Sequence, residues 1–482
     1  MIHLPKRIVT TIAATACLAL GGVATAVVAD GTDTTVIRSA ATDRGAASAG
    51  AGALAGAPAG LPPTPCGTYT GRGCAPAARR VDTGTPTFST PTKITNPLFP
   101  ISRLRSVVLL GRVDGKPFRS ETTLLPGTTT VVWNGKRIRV LLSQYTAFLG
   151  GHLDEVALDR YAQADDGSVW YLGEDVFDYR NGAVAITEGT WLAGRDGPAA
   201  MIMPGKPKVG DVFRPESITG VVFEEVAVKA VGRTVKGPHG PVTGALVAEE
   251  LHLDGSRSDK TFAPGYGEFR TVDGGDVEAL ALAVPMDALP GSTPPRLRFL
   301  TTGAWGILEN ARLKDWEAAS ATVKRLNAAW MTVKAGAPPL IADRMNRTLS
   351  ELTRTVKARL AGKVAQLAIG VAQSALDLEL RHRPAIEVDI ERFHLWTQQL
   401  RVHAAAGDVA GATGDVAVLE WIRDRVTGAL DPVGLREIDL GLRGLRAASD
   451  ARNLPAAADH AARLGAQLRR STGARRASST RR

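Results

Sequence analysis

Turn chemistry constrains this chain more than any other feature. Asp114-Gly115, Asn134-Gly135, Asp166-Gly167, Asn181-Gly182, Asp254-Gly255 and Asp273-Gly274 punctuate its middle. Asn-Gly and Asp-Gly tolerate the positive φ that two-residue hairpin turns demand. The runs between them are rich in β-branched and apolar residues: Ser106 to Val113, Thr128 to Trp133, Arg137 to Leu142, Val169 to Leu172 and Gly244 to Leu251. Turns this short force antiparallel neighbours. Residues 85–292 are therefore predicted to form one antiparallel sheet, curved or closed into a half-barrel.

Beyond about Pro295 the period changes from two to 3.6. Trp316, Ala319, Val323, Leu326, Trp330 and Val333 alternate spacings of three and four, which makes one helical stripe. Met345 to Val356, Ile386 to Leu400, Val416 to Val426, Leu435 to Leu445 and Leu454 to Leu468 carry similar stripes. Pro338-Pro339, Pro384 and Asp431-Pro432 mark helix starts. The run Leu360 to Leu380 is apolar but holds Lys363, Gln366, Gln373, Asp377 and Glu379, so it reads as a core helix and not a membrane span. Each stripe needs a partner, so residues 297–470 are expected to form an all-α bundle of about six or seven helices. The fold class is α+β in two domains.

The N-terminus indicates compartment. Lys6 and Arg7 precede an apolar run from Ile8 to Leu20, then Gly21-Gly22 and the small residues Ala24-Thr25-Ala26. This is the layout of a secretory signal. The apolar character resumes as far as Ala29, so residues 1–29 are either a cleaved signal peptide or an uncleaved N-terminal anchor. Lipidation at Cys17 is a third route. All three place the chain outside the cytoplasm, secreted or tethered to the membrane. Residues 30–84 are rich in Ala, Gly, Thr and Pro and read as a disordered spacer.

Cys66 and Cys74 are the two cysteines left once Cys17 departs with the signal, and in an oxidising compartment they are expected to form a disulfide. Two thiolates would fill only half of a zinc site. The net charge of +10 is concentrated at the end, where Arg469 to Arg482 holds six arginines and no acid. Residues 471–482 are expected to be a disordered basic tail, either simply solvated or in contact with envelope lipid or an anionic wall polymer. Nucleic acid is not expected as a partner, because no aromatic residues interleave with those arginines to stack on bases.

A string of motifs runs through the β region: Asn96-Pro97-Leu98-Phe99-Pro100, Tyr161-Ala162-Gln163, Val169 to Asp175, Gly189-Thr190-Trp191, Ala193-Gly194, Ile202-Met203-Pro204, Val209-Gly210-Asp211 and Phe262 to Gly267. In order and spacing it resembles an uncharacterised extracytoplasmic domain common in actinobacterial secreted and lipid-anchored proteins, over roughly residues 88 to 285. The resemblance implies an exported β domain and carries no assigned activity. Ile101-Ser102-Arg103-Leu104 departs from the Pro-Gly-Thr-Trp turn of that family, at the entry to the sheet. The Ala-Pro-Gly-Tyr-Gly turn also resembles one in lipoprotein-type curved sheets that hold apolar ligands.

Local catalytic signatures are missing: no nucleophile elbow, zinc-protease helix, phosphate loop or dinucleotide fingerprint occurs, and no cofactor is expected. A Ser/His/Asp triad is spatial and needs coordinates to be seen. Trp170, Tyr171, Glu174 and Asp175, with Trp191, suggest a ligand-facing aromatic wall with an acidic rim; ordinary sheet packing is the alternative. Successive strand residues alternate faces, so Trp170 and Tyr171 are predicted to point opposite ways. Glu379 with His382, and Glu391 with His394, are two Glu-x-x-His pairs of the kind that offers a carboxylate and an imidazole to one metal. Pro384 lies between them, and a purely structural role is the alternative. The expected function is non-catalytic binding or scaffolding in the cell envelope, of an apolar or lipid-like ligand. The alternatives are a metal-binding helical domain and a secreted hydrolase.

Overall fold

The computed structural model describes residues 74–479. The chain has the α+β layout expected of it, an antiparallel sheet followed by a helical bundle. The segment 1–29 with Cys17, the spacer as far as residue 73 with Cys66, and residues 480–482 lie outside the described residues.

Fifteen strands form in chain order: β1 (Ser106–Val113), β2 (Lys116–Leu124), β3 (Thr129–Trp133), β4 (Lys136–Leu149), β5 (His152–Gln163), β6 (Val169–Arg180), β7 (Ala183–Ile186), β8 (Trp191–Leu192), β9 (Ala200–Met203), β10 (Val212–Ile218), β11 (Val222–Gly237), β12 (Gly240–His252), β13 (Arg257–Ala263), β14 (Gly267–Asp273) and β15 (Asp276–Val284). The ladder runs β10-β11-β12-β13-β14-β15-β1-β2-β4-β5-β6-β7, with β3 on β4 and with β8 and β9 on β6. The path is open but curls strongly, so that β9 packs against β10 at the opposite end.

The turn dipeptides act in two ways. Asp114, Asn134 and Asn181 take φ near +50°, and the glycine after each is also left-handed, as a two-residue hairpin requires. At Asp166, Asp254 and Asp273 only the following glycine has positive φ, and the turn between β14 and β15 is made by Gly274 and Gly275.

Eight α-helices follow among the described residues: α1 (Pro295–Leu313), α2 (Trp316–Val333), α3 (Pro339–Lys357), α4 (Ala361–Glu379), α5 (Ala385–Ala405), α6 (Val409–Val426), α7 (Pro432–Asp450) and α8 (Leu454–Ser479). Asp315, Asp408 and Asp431 cap α2, α6 and α7 through the amides of Ala318, Gly411 and Gly434. The helix beyond the expected count is α1. Its buried stripe includes Thr301, Gly303, Ala304 and Ala311, and such small or polar residues blur a hydrophobic period. No described helix is long and apolar enough to cross a membrane, α4 included.

Sheet and bundle share one core. Val108, Leu110, Phe148, Val156, Leu282 and Val284 from the sheet join Leu300, Leu376, Phe393 and Leu419 from the helices in a single buried cluster. Phe148 stacks on Trp396 with ring centroids 5.1 Å apart. A buried ionic network crosses the same interface. Arg425 Nη1 lies 2.6 Å from Glu121 Oε2 on β2, and Arg392 Nη1 lies 3.4 Å from the same oxygen. Burial alone would raise the carboxyl of Glu121, but the guanidiniums of Arg392, Arg119 and Arg425 outweigh it and hold the group far below the usual range.

Strand alternation sends the intervening residues to the other face. On β4, Gln144 and Thr146 bond to Arg425 in the bundle, while Ser143 and Tyr145 point into the curl. That inner face is unusually polar: Glu155, Asp159, Glu174, Glu216, Glu224, Glu250 and Glu278 are all buried.

Three edges differ from expectation. The last part of the spacer is docked and not free: the amide of Ala75 donates to Glu225 Oε1 at 2.7 Å and that of Val81 to the Val212 carbonyl at 2.9 Å, which extends the ladder beside β10. The basic segment 471–482 continues α8 as far as Ser479, because alanine and arginine are strong helix formers behind a well-anchored helix. Ile101 to Leu104 form a compact turn that buries Ile101 and Leu104 and leads into β1 at Ser106.

Candidate functional site

The aromatic segment of β6 divides among three environments. Trp170 lies on one face, stacked near Trp133 at 6.3 Å, and its indole donates to Ser168 Oγ at 2.8 Å. Tyr171 lies on the other, stacked on Tyr161 at 4.9 Å and edge-on to Trp191 at 5.4 Å. Its hydroxyl donates to carboxylates of Asp159 at 2.6 Å or Glu174 at 3.0 Å, and Trp191 Nε1 donates to Glu216 at 3.1 Å. Further along, Tyr179 accepts from Trp421 Nε1 at 2.8 Å and belongs to the bundle interface. Trp170, Tyr171, Glu174 and Trp191 are buried, and the half-buried Asp175 is paired with Arg160 at 2.7 Å. These residues are packing and hydrogen-bonding elements of the sheet.

An open cavity of about 670 Å³ lies in the bundle, between the first half of α1, the end of α4 and the first half of α5. Its size falls within the range of about 300–1,000 Å³ that small-molecule sites span. Glu379, His382, Glu391 and His394 all line it, together with Arg298, Trp305 and Arg383. The turn at Pro384 explains the convergence. It reverses the chain after α4, so the first Glu-x-x-His pair comes to face the second. Glu387, Glu391 and His394 recur at spacings of four and three and share one side of α5.

Arg383 is the hub of this cavity. Its Nη1 lies 2.6 Å from Glu379 Oε2, its Nε 3.4 Å from Glu387 Oε2 and its Nη2 3.9 Å from Glu391 Oε1. Glu379 also accepts from Thr301 Oγ1 at 2.8 Å. Trp305 meets the ring of His394 edge-on at 5.2 Å. The ring of His382 bonds the Gly291 backbone, and its Nδ1 is buried with no hydrogen-bond partner. Burial and the neighbouring Arg381 lower its pKa, which favours a neutral imidazole with a bare acceptor lone pair.

The guanidinium of Arg383 thus stands among three carboxylates of the cavity. Among the described residues, the set of three potential ligands whose donor atoms lie within 4.8 Å of one another is elsewhere: Glu224, Glu250 and His252 on the inner face of the sheet. The same place holds a hydroxyl–imidazole–carboxylate line. Ser258 Oγ is 3.0 Å from His252 Nε2, and His252 Nδ1 is 3.6 Å from Glu224 Oε1. Ser258 is buried, only 1% exposed.

The sequence reading found the four pair residues of the cavity but missed Arg298, Trp305 and Arg383. Arg383 sits between the two pairs at i+4 from Glu379 and i−4 from Glu387, a spacing that could have found it. It also missed Glu224, Glu250 and His252. Their available signal was Glu250 and His252 two apart on a strand, which share a face, opposite a hairpin partner carrying Glu224. No family model matches the chain, and no curated protein matches it.

Proposed function

We propose that this chain is an exported envelope protein that binds a small polar solute in the cavity of its helical bundle, without transforming it. The observation that carries the reading is the convergence of two Glu-x-x-His pairs, from either side of the Pro384 turn, and Arg383 on one open cavity. Charge balance there favours a ligand with an ammonium or guanidinium group. Glu379, Glu387 and Glu391 outnumber Arg383 and Arg298 within it by one, His382 Nδ1 is an acceptor, and the Trp305 ring offers a surface on which a cation can sit. Arg298, at the first turns of α1, suits an anionic group at the other end of the same molecule.

Export rests on the N-terminal pattern of Lys6, Arg7 and the apolar run. The motifs between Asn96 and Gly267 support placing the β domain in the actinobacterial extracytoplasmic family that it resembles. In this reading Cys66 pairs with Cys74 to pin the start of the folded domain, and the arginine-rich end of α8 touches anionic envelope lipid or wall polymer. The sheet is assigned a supporting role, because Trp170, Tyr171 and Trp191 are consumed in packing and many buried acids share its inner face with the aromatic residues.

The test is calorimetric titration of the full mature chain with L-lysine, putrescine and glucosamine as probes. At least one is expected to bind one per chain, and Glu391→Gln combined with Trp305→Ala to weaken it by about tenfold or more. No binding of any probe, or binding unchanged by that variant, contradicts the assignment.

A further inference from the structure

The inner face of the sheet presents a second, separate site. Neighbouring strands align Glu216 on β10 with Glu224 on β11, Glu224 with His252 on β12, and Glu250 on β12 with Ser258 on β13. Two adjacent rungs thus carry three carboxylates and an imidazole on one face. His252 Nδ1 lies 3.6 Å from Glu224 Oε1, and His252 Nε2 lies 3.7 Å from Glu250 Oε2. Both glutamates are buried, while the imidazole keeps 19% of its side-chain surface open and so gives a route in from solvent.

We propose that Glu224, Glu250 and His252 bind a first-row divalent cation of the zinc or manganese type. Two carboxylates and one imidazole are the mixed oxygen and nitrogen set such ions accept, whereas calcium asks for six to eight oxygens. Donors already within 4.8 Å of one another need to close by little to reach coordination distance.

The ammonium that competes with a cation for Glu250 has somewhere to go. Lys260 Nζ is 2.7 Å from Glu250 Oε2 and 3.8 Å from Glu268 Oε1. On the same rung, beyond Thr271 of the intervening strand, is Glu278, fully buried, with neither carboxyl oxygen hydrogen-bonded. An ion at Glu250 therefore displaces Lys260 toward Glu268 and Glu278, where an unused acceptor pair awaits it. Lys260 acts as a positioning residue that competes with the ion.

The experiment is titration of the full mature chain with zinc sulfate and, separately, manganese chloride, after treatment with chelator. Wild type is expected to bind one ion per chain. His252→Gln and Glu250→Gln are expected to weaken binding by about tenfold or more. Lys260→Met removes the competitor and is expected to tighten binding, a result that a merely structural lysine would not give. Circular dichroism melts show whether each variant is folded, and X-ray absorption on the loaded wild type is expected to show one imidazole in the coordination shell. No binding by wild type overturns the proposal. So does binding that is insensitive to His252→Gln but lost in His394→Ala, which would move the ion to the bundle cavity.

Discussion

Arg119 on β2 and Asp377 on α4 meet in a two-pronged ion pair, with Nη1 to Oδ2 at 2.7 Å and Nη2 to Oδ1 at 2.8 Å. Both are buried, and they join strand to helix across 258 residues of chain. Bidentate geometry of this kind fixes relative orientation as well as contributing energy. It ties the sheet to α4, the end of which forms one wall of the cavity.

Breaking that pair from one side is predicted to be costly. Asp377→Asn leaves Arg119 and Arg392 facing a neutral amide in a dry interface, and about 3–5 kcal/mol of unfolding free energy is expected to be lost. Replacing both ends, as Arg119→Met with Asp377→Leu, is expected to cost much less than the sum of the single changes. Urea denaturation of the single and double variants measures both.

Gly182 sets how closely the sheet approaches α6. Its φ is +80°, and a Cβ built there would stand 2.2 Å from the Ala410 carbonyl oxygen and 2.5 Å from the Gly414 nitrogen. Gly182→Ala therefore combines backbone strain with a clash against helix backbone, and about 2 kcal/mol or more of stability is expected to be lost. A thermal melt tests this, with Gly135→Ala as the comparison, since Gly135 shares the positive φ but has nothing within 4 Å of its Cβ position.

Stability is predicted to fall as pH rises through neutrality. Asp415 accepts from His403 at 2.7 Å. Burial pushes the Asp415 carboxyl up to about 7 against the pull of His403, and burial of His403 is outweighed by the hydrogen bond and charge of Asp415, which raise its pKa. Both folded values lie above the unfolded ones, so the folded pair holds more protons than the unfolded chain. Its contribution is complete below about pH 4 and is lost progressively as pH rises to and beyond about 7. Melting temperatures of wild type and Asp415→Asn between pH 4 and pH 8 are expected to diverge, with the variant showing the flatter profile.

The proposed pairing of Cys66 with Cys74 has a direct check. Mature protein denatured without reductant is expected to show no reactive thiol, and to yield two after reduction. Free thiols before reduction would contradict the pairing.

How legible all this was in the sequence depended on the range of the interaction. Asp114-Gly115 acts through its own backbone and Asp431 through its carboxylate on the Gly434 amide three residues on, so the hairpin and the capped helix could be read directly. Thr397, which interrupts an apolar stripe, is equally local: its hydroxyl donates to the His394 carbonyl of its own helix at 2.6 Å. The site was legible only in part. The Glu-x-x-His spacing flagged four cavity residues, and i±4 spacing ties Arg383 to Glu379 and Glu387, but nothing local says that Trp305 from α1 joins them, or that Trp170, Tyr171 and Trp191 are sealed by neighbouring strands. The inner-face acids were hidden for a related reason. Alternating Glu residues on a strand read as a solvated face, and only the curl of the whole sheet turns that face inward.

The central claim, a solute held in the bundle cavity, is tested most directly by native mass spectrometry of the mature protein purified gently from the envelope fraction. Wild type is expected to carry a small organic adduct, released on denaturation, that is absent from the Glu391→Gln, Trp305→Ala variant. A wild-type spectrum with no adduct, or an adduct retained by the variant, would contradict the account.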